Sequence, residues 1–361
     1  MSDANVTTLS EGLAKHRKVS LGTYPTPLER LERLSGQLGG PPLYIKREDQ
    51  SGLAFGGNKA RMLEYVIGEA VEQGADVFIA GGGVAQSNHA RMCAAAAVKA
   101  GLKPVLVLNR GPSDQQAMQG NLLLDDLLGA EVWLVPDDQA RQDVNPRFGL
   151  HHVMLEVAEK YRSRGRTPYV LPTSSIGLAA LGFVSCAVEL AAQLDGSSVR
   201  KADIYLTSSG STQAGLLLGA DVLGADWRIT GLAPSEKGDP QDNVSRLYNE
   251  AAELLQLDNR IEPAIVLSEN AAQGGYAQLS SQAAEAIRLL AGTEAILLDP
   301  VYSGKGFARL IEIMKQGQYR EDADAVIFLH TGGAPALFAY ADGLSGGQAW
   351  LDAARARGGN R

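Results

Sequence analysis

One lysine of this chain lies in a local sequence suited to covalent chemistry. Lys59 follows Gly56, Gly57 and Asn58, and it begins a segment with the apolar spacing of a helix. The glycines allow a tight turn and leave space beside it. Positive potential at a helix N-terminus lowers the pKa of a lysine amine, and the neutral amine is the form that gives a Schiff base. A surface lysine after a loop is the alternative that this segment alone leaves open.

Polar residues also follow three glycines at the start of the next predicted helix. Gln86, Ser87, Asn88 and His89 come soon after residues 81–83. Exposed N–H groups at a helix start, with the Ser87 hydroxyl, suit an anion such as a carboxylate. The Asn88 amide can donate to a phenolic oxygen. Simple capping of the helix by Ser87 or Asn88 is the alternative.

A third segment, from Thr207 to Gly215, joins a predicted strand to a predicted helix through serine, glycine and threonine residues. Its N–H groups, hydroxyls and helix dipole would converge on a phosphate without any lysine or arginine. It contains neither the GK[ST] of a Walker loop, nor GxGxxG, nor the GxSxG of a hydrolase. The pattern predicts a phosphate-binding loop, with a plain turn capped by serines as the alternative.

Two later segments add weaker signals. In Leu298–Lys305, Tyr302 and Ser303 are adjacent, and residues 330–335 end a predicted strand in a glycine turn that contains Thr331. A tyrosine ring can stack on a flat cofactor and its hydroxyl can move protons. The Ser303 hydroxyl can hydrogen-bond a pyridine nitrogen. A turn with a packed tyrosine is the alternative.

The segments around these residues alternate between strand-like and helix-like patterns. Strands are predicted at 76–80, 104–109, 131–136, 169–172, 203–208, 228–233 and 325–330, and helices at 60–73, 87–100, 119–128, 151–162, 182–194 and 214–223. Such alternation predicts parallel sheets covered by helices, the doubly wound α/β class, with ligands at the carboxyl ends of the strands. The first 18 residues and the segment after Leu344 are predicted to be weakly ordered.

Composition narrows the class of protein further. A chain of 361 residues predicts two domains, and a net charge of -8 disfavours nucleic acid as a partner. The two cysteines form no CxxC or metal-ligand pair, which favours a reducing compartment and no metal. Neither a signal-peptide pattern nor a run of 18 apolar residues is present, so we expect a cytoplasmic protein without a membrane span.

The motifs GGNK, QSNH, GSTQAG, LDPVY and HTGGAPALF occur in this order along nearly the whole chain. In this combination the chain resembles the pyridoxal 5′-phosphate (PLP) dependent family of D-cysteine desulfhydrase, L-cysteate sulfo-lyase and 1-aminocyclopropane-1-carboxylate deaminase. That family has the tryptophan-synthase-β-like fold, or fold type II. The resemblance implies a larger PLP-binding domain from 1–60 with 173–345, a smaller α/β domain at 61–172, a C-terminal tail at 346–361, and a homodimer.

The resemblance also implies roles for individual residues. Lys59 carries PLP as a Schiff base, Asn88 meets the ring hydroxyl, Tyr302 stacks on the ring, and Ser303 faces the pyridine nitrogen. The implied cofactor-binding set is Lys59, Asn88, Ser209, Gly210, Ser211, Thr212, Gln213, Gly215, Tyr302, Ser303 and Thr331. The implied substrate-binding set is Gln86, Ser87, Asn88, His89 and Tyr276, and the implied catalytic set is Lys59, Ser87 and Tyr302.

Three departures from the family pattern bear on the substrate. The cyclopropane deaminases carry glutamate where this chain has Ser303, and a hydroxyl cannot hold the pyridine nitrogen protonated as a carboxylate would. The loop before Gln86 is one residue longer than usual, and residues 172–177 replace a PGGSN-like stretch. The first departure argues against cyclopropane ring opening. The other two change loops that border the substrate.

The reaction that we expect is α,β-elimination on a small amino acid with a β-leaving group, of D-cysteine or L-cysteate type, to give pyruvate and ammonia. Two alternatives stay open. The protein could be a deaminase or racemase of another small amino acid, including 1-aminocyclopropane-1-carboxylate, or it could be a non-catalytic binder of PLP or an amino acid. A nicotinamide-dependent enzyme is disfavoured, because no GxGxxG follows a strand.

Overall fold

The computed structural model describes residues 3–111, 116–136, 150–171, 176–208, 210–234 and 239–358. The helices in this part of the chain are α1 (Asp3–Ala14), α2 (Glu32–Leu38), α3 (Lys59–Glu72), α4 (Asn88–Lys99), α5 (Gly120–Leu127), α6 (His151–Arg162), α7 (Gly177–Leu194), α8 (Ser211–Leu223), α9 (Pro240–Leu254), α10 (Ser281–Glu294), α11 (Ser303–Gln316), α12 (Ala341–Leu344) and α13 (Gly347–Gly358). The strands are β1 (Leu28–Arg30), β2 (Leu43–Lys46), β3 (Val77–Val84), β4 (Lys103–Asn109), β5 (Glu131–Val135), β6 (Pro168–Leu171), β7 (Ala202–Leu206), β8 (Trp227–Ala233), β9 (Leu267–Asn270) and β10 (Ala325–Leu329).

These strands form two sheets. The larger has the order β1-β2-β10-β7-β8-β9, and the smaller has the order β5-β4-β3-β6. Every neighbouring pair is parallel except β1 with β2, as a chain that alternates strands with crossover helices requires. The predicted α/β class with mainly parallel sheets is confirmed. The division into domains stays a prediction, which the separation of the strands into two sheets supports.

Buried side chains on both faces hold the large sheet between layers of helices. On β10, Ile327 and Leu329 face one apolar cluster, while Val326 and Phe328 face another. This alternation follows from the two-residue period of a strand. Full burial of each such side chain contributes about 1.5–3 kcal/mol. The first of the two clusters also contains Phe78 and Ala80 of β3, so one core joins the two sheets.

Helix α7 is long and apolar enough to cross a membrane, yet 67% of it is buried inside the protein. It packs against α3, α8 and α9. Its contact with α8 is so close that a Cβ on Gly215 would lie 2.1 Å from the Ala180 carbonyl oxygen. Its Glu189 side chain binds Arg61 and Lys46. These contacts are those of a core helix rather than of a membrane span.

The structure corrects several sequence-based expectations. The three glycines do not end the strand before them, because β3 continues to Val84 with a register shift after Gly81. The first residues form α1, whose Leu9 is fully buried, so this segment is ordered by packing on the core. Short strands β1, β2 and β9 and helices α2, α9, α10 and α11 were not predicted.

Candidate active site

A cavity of about 330 Å³ lies where the carboxyl ends of strands from both sheets meet. Its size is within the usual range of about 300–1,000 Å³ for small-molecule sites. Predicted residues in its lining are Lys59, Ser87, Asn88, His89, Gly210, Ser211, Thr212, Tyr276, Tyr302 and Thr331. The predicted residues Gln86, Gln213, Gly215 and Ser303 are not part of the described lining, and Ser209 lies outside the described residues.

The position of Lys59 depends on close contact between two glycine loops. Lys59 is the first residue of α3, directly after the turn that contains Gly57. The Asn58 N–H donates to the Thr331 carbonyl oxygen at 3.0 Å, which joins this turn to the loop after β10. A Cβ on Gly332, whose φ is +88°, would lie 2.6 Å from the Gly57 Cα. The contact therefore requires glycine at position 332.

A buried cluster of charges supports the same turn from behind. Arg61 is the third residue of α3. It donates to both carboxylate oxygens of Glu48, at 2.7 and 3.0 Å, and to the Glu189 carboxylate at 2.8 Å. Lys46 also pairs with Glu189. Two cations and two carboxylates balance, which a buried cluster needs in order to avoid a large desolvation cost. The Glu48 carbonyl oxygen accepts from the Gly57 N–H at 3.0 Å, so the cluster is continuous with the turn before Lys59.

The Lys59 amine is half-buried and faces the cavity. Within the part of the chain that the structure describes, no carboxylate lies within ion-pair distance of the Lys59 amine. The amine contacts Met62 Sδ at 3.8 Å. Burial lowers the pKa of Lys59 to about 8. Burial, with the Lys59 charge nearby, also lowers the pKa of His89 to about 3, so that the imidazole is neutral at pH 7. A lysine with this pKa is a competent nucleophile and base near neutral pH.

The start of α4 combines capping with a polar wall of the cavity. The Ser87 hydroxyl accepts from the Ala90 N–H at 3.2 Å, so the predicted capping role is real. Ser87 and Asn88 also line the cavity. Asn121 Nδ2 donates to Asn88 Oδ1 at 2.8 Å, which leaves the Asn88 amide N–H₂ directed towards Asp299, 3.5 Å away. Capping therefore leaves Ser87 and Asn88 in the cavity lining, and their binding of a ligand stays a prediction.

Gln86 does not face the cavity as expected. Its Oε1 accepts from the Asn121 backbone N–H at 2.9 Å, and its Nε2 donates to the Gln119 carbonyl oxygen at 3.1 Å. Because both ends of the amide bind the segment that begins α5, the side chain holds α5 against the start of α4. The structure thus corrects the expected orientation of Gln86.

The start of α8 lies in the cavity wall. The N-cap residue of this 13-residue helix is Gly210, and Gly210, Ser211 and Thr212 line the cavity. Helix starts of this kind bind anions through their backbone N–H groups. Asn58 Nδ2 donates to Thr212 Oγ1 at 2.9 Å and links this helix start to the Lys59 turn. The side chain of Gln213 turns away to the Leu267 carbonyl oxygen at 2.7 Å, and Gly215 packs on α7. Neither residue is part of the described lining of the cavity, so their membership of the cofactor-binding set stays a prediction that this geometry does not support.

Two tyrosine hydroxyls meet in another part of the cavity wall. The oxygens of Tyr276 and Tyr302 are 2.7 Å apart, and the rings meet edge to face with centroids 6.1 Å apart. Burial, followed by the neighbouring Tyr276, raises the pKa of Tyr302 well above its ordinary value. Both phenols are therefore protonated at neutral pH and can exchange a proton within the pair.

Ser303 also differs from its expected orientation. Its hydroxyl donates to Asp299 Oδ1 at 2.7 Å and is fully buried, whereas Asp299 itself lines the cavity. Asp299 further accepts from the N–H groups of Val301, Tyr302 and Ser303. Burial raises the pKa of Asp299 in spite of these donors. The predicted role of Ser303 at the pyridine nitrogen would require this hydroxyl to turn from Asp299 towards the cavity.

Sequence reasoning missed Asp299, Asn58 and Arg91 as residues of the site. An aspartate before a proline and close to a helix start is a capping signal that could have drawn attention to Asp299. Arg91 donates to the carbonyl oxygens of Ala54 and Gly56, in the loop before Lys59. A lone arginine before the apolar residues 92–98 of α4 was the available signal for it.

Comparison with known proteins agrees with this geometry. The model of the pyridoxal-phosphate dependent enzyme family matches residues 19–332. A D-cysteine desulfhydrase of Yersinia enterocolitica is 39% identical over 342 residues, covering 92% of this chain and 98% of that protein. A protein of Pyrococcus horikoshii, provisionally named 1-aminocyclopropane-1-carboxylate deaminase, is 37% identical over 335 residues, covering 92% and 96%. The crystal structure of an ACC deaminase homologue matches with a TM-score of 0.82 and 35% identity, covering 95% and 99%.

The fold and the cavity define a fold type II enzyme. The chain belongs to the pyridoxal-phosphate dependent enzyme family, and its reaction class is elimination or deamination. The predicted family, cofactor and enzyme class are confirmed.

The residues present fit this cofactor. The start of α8, whose first residues line the cavity, suits a phosphate, and the Lys59 amine with its lowered pKa suits an aldehyde carbon. Gly333 also lines the cavity, and a Cβ there would collide with two polar side chains of the lining, at 2.6 Å from Asn88 Nδ2 and 2.7 Å from Asp299 Cβ. These two side chains can face the cofactor only because position 333 is glycine.

Proposed function

We propose that the protein removes the β-substituent of a small amino acid, of the D-cysteine or L-cysteate type, and releases pyruvate and ammonia. The observation that carries this proposal is the arrangement of one cavity, in which Lys59 lies with two helix N-termini and a pair of phenols. Relatives named for such a reaction cover most of the chain. A homodimer and a cytoplasmic location stay proposals that accompany it.

We assign roles to the described residues as follows. PLP, when bound, supplies an electron sink for negative charge at the substrate Cα. Lys59 Nζ would hold the cofactor, and as a free amine it would take the proton from the substrate Cα. The start of α4, with Ser87 and Asn88, binds the substrate carboxylate. Tyr302, hydrogen-bonded to Tyr276, lies ready to give a proton to the departing β-group.

The charges of the cavity wall favour a thiol over a sulfonate as the leaving group. Within the described lining, the cationic side chains are Lys59 and Arg91, since His89 is neutral. Arg91 is already bound to the Ala54 and Gly56 carbonyl oxygens. Lys59 is assigned to the cofactor and to the Cα proton, so a sulfonate would bring a second full negative charge beside Asp299 with neither cation of the described lining to receive it. We therefore place cysteine ahead of cysteate.

A panel of amino acids tests the proposed reaction. Purified PLP-loaded protein would be assayed for pyruvate with D-cysteine, L-cysteine, L-cysteate, β-chloroalanine and 1-aminocyclopropane-1-carboxylate. We expect pyruvate from β-chloroalanine and from one cysteine enantiomer, with an equal amount of chloride released in the first case and of sulfide in the second. The cyclopropane amino acid would yield 2-oxobutyrate, so that product is assayed separately. Racemisation without keto acid would support the racemase alternative, and no turnover on the whole panel would contradict the proposal.

The lowered pKa of Lys59 predicts how cofactor capture depends on pH. Only the neutral amine attacks an aldehyde, so capture by the PLP-free protein should accelerate as pH rises and level off above about pH 9, one unit beyond the pKa of about 8. An ordinary lysine would continue to accelerate to about pH 10.4. The measurement is stopped-flow absorbance after PLP is added between pH 6 and 10.5. Nα-acetyl-lysine at the same pH values is the control for titration of PLP itself. We expect the ratio of the protein rate to the Nα-acetyl-lysine rate to fall above about pH 9, one unit beyond the pKa of Lys59, and a ratio that stays constant over the whole pH range would contradict the assignment.

A further inference from the structure

Lys305 is a fully buried lysine that does not line the cavity. It is the third residue of α11, and its Nζ donates to the backbone carbonyl oxygens of Ala272, at 3.2 Å, and Gly275. Within the described residues, no carboxylate lies within ion-pair distance of it. A buried ammonium needs such compensation, and here two carbonyl oxygens of a single loop provide it.

A lysine is a costly residue at this position. Its charge lies near the N-terminus of α11, where the helix dipole is unfavourable to a cation. Burial lowers the pKa of Lys305, which shows that the charged form is disfavoured by desolvation and only partly restored by Asp299. An apolar residue of similar length would avoid both costs. The gain that offsets them must come from the two hydrogen bonds, which are stronger because the donor is charged.

The carbonyl oxygens belong to residues 271–280, which we name the tyrosine loop because it carries Tyr276. It forms neither helix nor strand, and it turns at Gly274 and Gly275, whose φ values are +78° and +95°. On its other side, the Tyr340 hydroxyl donates to the Ala277 carbonyl oxygen at 2.8 Å. The Lys305 ammonium and the Tyr340 hydroxyl thus hold the loop on both sides of Tyr276.

Tyr276 needs such support because its own side chain is 40% exposed. Its hydroxyl nevertheless lies 2.7 Å from that of Tyr302, which is only three residues before Lys305. The start of α11 therefore carries Tyr302 and also Lys305, whose ammonium holds the loop of Tyr276. A shift of the tyrosine loop by about 1 Å would break the phenol pair and can cost on the order of 100-fold in rate.

We propose that Lys305 is a positioning residue: its ammonium fixes the tyrosine loop so that the Tyr276 hydroxyl meets the Tyr302 hydroxyl at the cavity. The catalytic importance of that pair depends on the proposed function. The attachment of the loop to α11 does not depend on it.

The test compares Lys305→Met, which keeps the length of the side chain but removes the ammonium, with Lys315→Met on the exposed end of the same helix. Hydrogen–deuterium exchange of residues 271–280 is measured with and without PLP. We expect exchange at least about 10-fold faster in Lys305→Met and unchanged in Lys315→Met, because two charge-assisted hydrogen bonds are lost. Unchanged exchange in folded Lys305→Met would overturn the proposal.

Kinetics then separate positioning from general stability. On the proposed substrate, Lys305→Met should lose about 10–100-fold in kcat/KM, and the loss should nearly vanish in a Tyr276→Phe background. Methylammonium should partly restore Lys305→Ala, while sodium at equal ionic strength should not. Equal losses in both backgrounds, or no rescue, would contradict action through Tyr276.

Two further measurements distinguish a failure of folding, or of the proposed function, from a failure of the Lys305 proposal. If Lys305→Met does not fold, Lys305→Gln, which retains N–H donors without the charge, takes its place. Failure of both to fold would assign Lys305 to folding and overturn the proposal. If the wild-type protein turns over no amino acid but Lys305→Met still loosens the loop, the proposed function fails while the anchoring role of Lys305 stands.

Discussion

Replacing Lys59 with alanine is expected to lower turnover by at least about 10⁴-fold, because one change removes both the covalent attachment of PLP and the base at Cα. The visible absorption band of the bound cofactor, and its discharge by borohydride, should disappear as well. The structure favours this lysine because it alone among the described lysines lines the cavity. The measurement combines an absorbance spectrum with a pyruvate assay on the best substrate of the panel.

The exposed Lys315 supplies the control for this variant. Lys315→Ala should keep the band, its sensitivity to borohydride and the wild-type turnover. Thermal unfolding of PLP-free Lys59→Ala should show a protein at least as stable as the wild type, because a half-buried amine without an ion pair is removed. A borohydride-sensitive band that persists in Lys59→Ala would show that another lysine holds the cofactor.

The second large effect is expected from Gly332→Ala. The new Cβ would lie 2.6 Å from the Gly57 Cα and 3.3 Å from the Gly56 carbonyl oxygen, and both of these atoms are backbone. Since backbone cannot turn aside as a side chain can, the Lys59 turn must move away from the end of β10. We expect PLP affinity to fall by at least about 100-fold and stability to fall by about 1–3 kcal/mol from overpacking. Titration of the PLP-free protein and chemical denaturation measure the two effects.

Gly317→Ala is the matched control, because it imposes the same unfavourable backbone conformation as Gly332→Ala without the collision of the new Cβ with neighbouring atoms. Gly317 also has a positive φ, of +64°, at the end of α11, but a Cβ there would meet nothing within 4 Å. It should therefore lose about 1–2 kcal/mol for the left-handed conformation and keep full affinity for PLP. Similar PLP affinity in the two variants would contradict the close contact between the glycine loops.

The strands and helices of the middle of the chain were predictable because their signals are local. Helix α6, for example, has the bounds that its apolar spacing predicts. The short strands β1 and β2 were not predictable in this way, since three or four residues carry too little pattern. They exist because β10, nearly 280 residues later, pairs with β2.

The same distinction applies to the site. The motifs identified the loops correctly, because glycines and polar residues at strand ends are local features. The direction of a side chain within a loop depends on partners far along the chain. Gln86 turns away because Asn121 and the Gln119 carbonyl bind its amide, 33–35 positions later. The spacing of residues around Gln86 contains no information about that partner.

The order of strands in the large sheet also has a consequence during synthesis of the protein. Strand β10 lies between β2 and β7, so the sheet stays split, with two open edges, until residues 325–329 have left the ribosome. At about 5–20 residues per second, the roughly 280 residues between β2 and β10 take about 15–55 s to translate. The loop that follows β10 completes the contact with the Lys59 turn. A nascent chain therefore cannot capture its cofactor in the finished geometry before β10 is made, and until then the edges of β2 and β7 are open to pairing with other chains.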